Sequence, residues 1–341
     1  MDCGLMKKKR VTLALQGGGA LGAFTWGVLD ALLEDDRLEF AGVSGTSAGA
    51  MNAVTMLEGL AEGGPQRARE QLAEFWRAVS LDGSLPVIER EVIDQFMSFW
   101  DPFNLRLTIA QKTTEVFSPY VLNPLELNPL RNVLENLIDF DLVRQSDDPK
   151  LFVAATNVRT GKARIFRRPE LTADMVMASA CLPTMFKAVE INGEFYWDGG
   201  YMGNPTLYPL YTETDCADII LVQINPISRD KIPKSSPEIM DRLNEITFNS
   251  ALLQEFRAIN FVSRLIDAGR LDGTHYKKLR LHLVTGGEAV DQYGASSKIN
   301  PDYRMFEDLF RIGRAAGEAF LQEHFVSIGV RGTLDLVQEL V

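Results

Sequence analysis

Residues 13–24, LALQGGGALGAF, pass from an apolar strand pattern through three consecutive glycines into a helical pattern. Few folds accommodate such a junction, because a strand must deliver its end to a helix N-terminus with no side chains in between. Gly17, Gly19 and Gly22 satisfy G-x-G-x-x-G, the spacing with which backbone N–H groups cradle a dinucleotide pyrophosphate. The same geometry serves a transient oxyanion equally well. A dinucleotide fold ends its second strand, about 20 residues on, in an Asp or Glu that grips the ribose. Here the second strand pattern, FAGVS, leads instead into Gly45-Thr46-Ser47-Ala48-Gly49. That is G-x-S-x-G at a strand-to-helix junction, the context in which the motif exposes a nucleophilic serine. Glycine at 45 and 49 relieves crowding at the sharp turn, and the helix dipole favours negative charge developing at Ser47. Gly17, Gly18 and Gly19 are therefore expected to be oxyanion donors facing Ser47 across adjacent strand ends.

Strand-like and helical stretches alternate along the rest of the chain, which favours a mainly parallel sheet in a three-layer α/β/α fold. Helices are expected over about 23–34, 48–60 and 66–80, with long ones near 237–268 and 302–322. Strand candidates are VTLAL, FAGVSG, LFVAATNV, ARIFRR, EFYWDGG, DIILVQINP and LRLHLVT. The stretch from about 84 to 128 breaks the alternation with FMSFWDPFNL and VFSPYVLNPL. It reads as an irregular helical section over the sheet edge or, alternatively, as an apolar cover beside the site that guides acyl chains or touches lipid.

With 46% hydrophobic and 24% charged residues in 341, the chain can bury a sizeable core. A formal charge of −11 argues against a nucleic-acid partner and leaves any membrane contact local. Cys3, Cys181 and Cys216 are odd in number, far apart and without metal-ligand spacing, as expected of reduced thiols in a cytoplasm. No signal peptide is read in MDCGLMKKKRVTLAL, and no run approaches the roughly 18 apolar residues of a spanning helix. The expectation is a cytoplasmic protein that can meet a membrane peripherally.

A serine nucleophile needs a base. Three histidines are present: His282 inside a strand pattern, His324 in an amphipathic helix, and His275 in the DGTHYKK loop, the one placed most freely. Asp198 is the stronger candidate. In FYWDGGYMGNP it follows an apolar strand and precedes Gly199 and Gly200, where the chain can turn and bring the carboxylate to a pocket.

GGGALG, GTSAG and DGG, in that order, resemble the patatin-like phospholipases. ATNVRTGKARIF, ASACLPTMF and Asn204-Pro205 extend the resemblance, so that it covers roughly residues 10–225. It implies a serine acyl hydrolase of fatty-acyl lipid esters with a Ser–Asp dyad and no catalytic histidine: Ser47 the nucleophile, Asp198 the proton acceptor, Gly17, Gly18 and Gly19 the oxyanion loop, and Gly22, Gly45, Gly49, Gly199 and Gly200 supporting glycines. The implied substrate is a phospholipid or related acyl ester, with no cofactor and no metal required. Leu21 stands where many members carry Arg or Lys, and Lys187-Ala188 replaces a Pro-rich tail; neither touches the pair. Related architectures also serve acyltransferases and non-catalytic lipid-binding regulators. The catalytic domain is expected over 10–230, with residues 231–341 a mostly helical region that packs on it and adds one further strand.

Overall fold

The computed structural model describes residues 8–80, 119–122, 128–183, 185–273, 275–293 and 302–340. The aromatic stretch expected to form an irregular section or cover over about 84–128 therefore lies almost wholly outside the described residues.

The chain opens with β1 (Lys9–Leu15), α1 (Gly22–Glu34), β2 (Leu38–Gly45) and α2 (Ala48–Ala78). Gly63 and Gly64, the latter at φ 79°, interrupt α2 just before Pro65, so the two helices expected from sequence form one kinked rod. After α3 (Pro129–Leu137) and α4 (Phe140–Arg144) come β3 (Lys150–Asn157), β4 (Ala163–Arg167), α5 (Ala173–Ser179), β5 (Val189–Ile191) and β6 (Glu194–Asp198). Then follow α6 (Tyr208–Thr212), β7 (Asp218–Gln223), α7 (Ser236–Asp267), β8 (Arg280–Thr285) and α8 (Tyr303–His324).

One eight-stranded sheet organises these elements. β3, β2, β1, β7 and β8 run parallel, as the alternation predicts; β4 and β6 pair antiparallel with β3, and β5 pairs antiparallel with β6. Side chains along the central strands alternate between two cores. Val11, Leu13 and Leu15 of β1 and Ile220 and Val222 of β7 join α1, α2 and α8, whereas Ala14, Ile219 and Leu221 join α6 and α7. With both faces covered, the strands read as near-continuous apolar runs, the pattern of a three-layer α/β/α arrangement. Residues from beyond 231 enter both cores, and β8 extends the sheet beside β7. α8 lies so close to α1 that a Cβ on Gly27 would stand 2.0 Å from the Phe310 carbonyl oxygen, and one on Gly313 2.0 Å from that of Phe24.

One detail of register positions the site. β4 occupies one edge of β3 from Phe152 to Thr156, so β2 and β6 must share the other. β2 takes Lys150–Val153, ending with Gly45 opposite Val153, and β6 runs in from the far end to place Asp198 opposite Ala155. The ends of β2 and β6 thus meet head to head.

Candidate active site

Ser47 stands two residues past the β2 end and caps α2 with φ 54° and ψ −123°, a left-handed backbone that a non-glycine residue adopts at a cost of about 1–3 kcal/mol. Crowding enforces the turn. A Cβ on Gly45 would sit 2.5 Å from the Gly49 carbonyl oxygen, and one on Gly49 2.2 Å from that of Leu15. A Cβ on Gly22 would lie 2.8 Å from that of Ala48. The Ser47 N–H donates to the hydroxyl of Ser179 on α5 at 2.9 Å, and the Thr46 hydroxyl donates to the Gly203 carbonyl at 2.8 Å. Ser47 itself is half-buried.

Asp198 is 3% exposed, and the Ser47 hydroxyl lies close enough to favour its ionised form. The Gly200 N–H donates to its Oδ1 at 2.7 Å. Burial raises the carboxyl to about 7, and the Gly200 amide and the Ser47 hydroxyl only partly oppose that rise by favouring the ionised form. Its backbone is tied on both sides: its N–H donates to the Cys181 carbonyl at 2.7 Å, and the Thr156 hydroxyl donates to its carbonyl at 2.8 Å. Gly199 fits beneath Thr46, where a Cβ would meet the Ala154 carbonyl oxygen at 2.1 Å. Gly200 lies against the Phe248 ring of α7, 2.4 Å from where its Cβ would be.

The glycine loop lies directly against the serine. A Cβ on Gly17 would stand 2.6 Å from the Thr46 carbonyl oxygen and 2.7 Å from the Ser47 Cβ. Of the three amides expected to face an oxyanion, however, that of Gly17 is already engaged, donating to Asn204 Oδ1 at 2.6 Å in a buried site. The N–H groups of Gly18, half-buried, and Gly19, exposed, carry no hydrogen bond within the described residues.

The histidines lie elsewhere. His282 is fully buried, with Nε2 3.1 Å from Asp218 Oδ1 at the start of β7, the end of the sheet opposite Ser47. His275 is on the surface beside Asp272, and the His324 ring packs on Phe320. Cys181, raised to about 12 by burial, does not supply a thiolate nucleophile. Among the described residues no cluster of three or more His, Cys, Asp or Glu side chains is arranged to hold a metal ion. Ser179 was the residue that sequence patterns did not single out: it lies inside ASACLPTMF, but only the fold brings its hydroxyl to the Ser47 amide.

Residues 13–211, more than half of the chain, match the family model for patatin-like phospholipases. The chain belongs to that family. Membership assigns it to the lipid acyl hydrolases, the class that the motifs resemble. Among solved structures, VipD from Legionella pneumophila is similar over 93% of this chain and 67% of its own, at 16% identity and a TM-score of 0.43. No curated protein matches the sequence. Among the described residues of this patatin-like chain, no helix is long and apolar enough to cross a membrane.

Proposed function

We propose that this protein hydrolyses fatty-acyl esters of phospholipids or related lipids through an acyl-serine intermediate, with Ser47 as nucleophile and Asp198 as its base. The placement of the Ser47 hydroxyl beside a carboxyl almost excluded from water supports the reading. Asp198 takes the hydroxyl proton as the Ser47 oxygen attacks the ester carbonyl. The carbonyl pair moves onto oxygen, where the free N–H groups of Gly18 and Gly19 stabilise it, while Gly17 holds the loop against Thr46 and Ser47. Collapse expels the alcohol, which leaves with the proton from Asp198, and the acyl group remains on Ser47. Water then attacks the acyl-serine, giving its proton to Asp198; the fatty acid departs and Ser47 recovers its proton. A carboxyl poised near 7 suits both directions of that transfer, because it is neither too weak a base nor too weak an acid at neutral pH.

A short-chain chromogenic ester, offered with and without an acceptor alcohol, tests the proposal. Wild-type protein is expected to release chromophore and free acid, and rapid acid quenching should reveal a peptide containing Ser47 heavier by one acyl group. Exclusive transfer to the alcohol would make the protein an acyltransferase. Lipid binding without turnover would make it a regulatory module.

A further inference from the structure

A buried set of side-chain amides lies beneath the glycine loop, and part of it comes from outside the family-matched stretch. Gln16, Asn204, Asn225 and Asn249 are each no more than 2% exposed. Gln16 follows β1 and all four of its hydrogen-bonding positions are filled. Its Oε1 accepts from the N–H groups of Ile224 and Asn225, both at 2.9 Å, and its Nε2 donates to the Asn204 carbonyl and to Asn249 Oδ1, both at 3.1 Å. Asn249, midway along α7, donates through Nδ2 to the carbonyls of Pro226 at 3.0 Å and Asn225 at 3.4 Å. Asn225 in turn donates through Nδ2 to the Gly17 carbonyl at 2.7 Å, and Asn204 brackets the same residue, donating to that carbonyl at 3.3 Å and accepting the Gly17 N–H.

The consequence lies in a single peptide plane. In a trans peptide the C=O of Gly17 and the N–H of Gly18 point in opposite directions. Drawing the Gly17 oxygen down into the amide set therefore turns the Gly18 N–H up and away from it. A Gly-Gly step has no side chain to hold that plane on its own, and without the amides it is free to flip. We propose that Asn225 and Asn249 are positioning residues that aim the Gly18 N–H at the substrate oxyanion, so that α7, beyond the matched motifs, completes the active site. This rests on the reading of Ser47 as nucleophile given above.

The test compares Asn225→Ala and Asn249→Ala with wild type on a short-chain ester, with rates normalised to titrated active sites, alongside the affinity of an alkyl trifluoromethyl ketone. With the ketone, the Ser47 oxygen adds to the carbonyl carbon, its proton passes to Asp198, and the carbonyl pair becomes an oxyanion that mimics the transition state. A misaimed donor is expected to lower kcat by about 10- to 100-fold, with KM within about threefold, and to weaken the ketone by the same factor as kcat/KM. A residue that only supports the fold would lower the number of titratable sites and the melting temperature while leaving kcat per site and ketone affinity intact; that result overturns the proposal. Should an alanine variant lose its cooperative melt, Asn225→Asp and Asn249→Asp replace it, keeping the shape and an acceptor while removing the donor, with the same losses expected. Failure of both pairs to fold would also overturn it. Failure of the underlying reading looks different: Ser47→Ala would retain turnover and wild type would not bind the ketone, sinking both.

Discussion

Ser47 faces Asp198 across the gap between two strand ends that share one edge of β3, the parallel β2 and the antiparallel β6, close enough for its hydroxyl to favour the ionised carboxylate. The serine arrives on a strained turn and the carboxylate on a strand held at both its N–H and its carbonyl, so neither backbone is free to drift from the other. Pre-organisation of this kind fixes attack geometry before the substrate arrives. Ser47→Ala and Asp198→Asn should each lower kcat by about 10³-fold or more, and the double variant should be scarcely worse than either, because the two act as one unit. Multiplicative losses would show that the residues work independently.

The raised Asp198 carboxyl predicts opposite pH trends for rate and for stability. As a base it must be ionised, so kcat/KM on a soluble ester should climb through about pH 7 and level off above it. For stability, the unfolded carboxyl loses its proton near 3.8, whereas the folded one keeps it to about 7. Below the lower value both states hold the proton; between the two the unfolded state binds fewer protons, so stability falls as pH rises, and above the upper value the loss is complete. Glu58 and Glu255, both pushed to about 7 by burial, add to the same slope. Asp198→Asn removes only its own share. Its melting temperature should therefore exceed that of wild type at pH 8 and match it near pH 4; an Asn variant that is the less stable at pH 8 contradicts a desolvated carboxylate.

Much of this was legible in the sequence because the relevant patterns are local. Glycines at 17, 45 and 49 mark places where chains touch, and near-continuous apolar runs mark the central strands. The partnership between strands is not local. Nothing in EFYWD states that β6 runs antiparallel along the same edge of β3 as β2, yet that choice alone brings Asp198 to Ser47. Likewise GGG suggests three equivalent donors, and only the folded chain shows that Asn204, 187 residues away, has taken one of them. Buried amides such as Gln16 and Asn249 look in sequence like ordinary polar residues, because their value depends on partners that the fold supplies.

Gly17 and Gly18 should respond differently to a methyl group. At Gly17 the added carbon would meet main-chain oxygen 2.6 Å away and the Ser47 Cβ at 2.7 Å, so the nucleophile or the loop must move. At Gly18 the nearest atom is the Ile224 Cγ2 at 3.2 Å, part of a side chain that can yield. Displacements approaching 1 Å at a reacting centre cost about 10²-fold in rate. Gly17→Ala is expected to lose at least about 10²-fold in kcat, and Gly18→Ala, which keeps its N–H, less than about 10-fold. Steady-state kinetics on purified, folded variants would decide, and the reverse order would remove Gly17 from contact with the serine.

At the other end of the sheet, Asp218 ties β7, β8 and the chain near Gly329 together, and its role should be separable from catalysis. It is 2% exposed; Oδ1 accepts from His282 Nε2 at 3.1 Å, Arg280 Nε at 2.9 Å and the Gly329 N–H at 2.9 Å, and Oδ2 accepts from Arg280 Nη2 at 2.6 Å. Burial opposes ionisation, but these donors outweigh it and hold the carboxyl well below the usual range. A depressed carboxyl contributes stability above about pH 4 and loses it as pH falls toward the folded value. Asp218→Ala strands a buried imidazole and a guanidinium, and should cost about 3 kcal/mol at neutral pH, less as the solution is acidified. Activity per titrated site should stay within about twofold of wild type, because the cluster lies at the strand ends remote from Ser47. His282→Ala should behave alike, destabilised but active. A folded His282→Ala that is inert beside an active Asp198→Asn would return the proton to histidine and end the dyad reading.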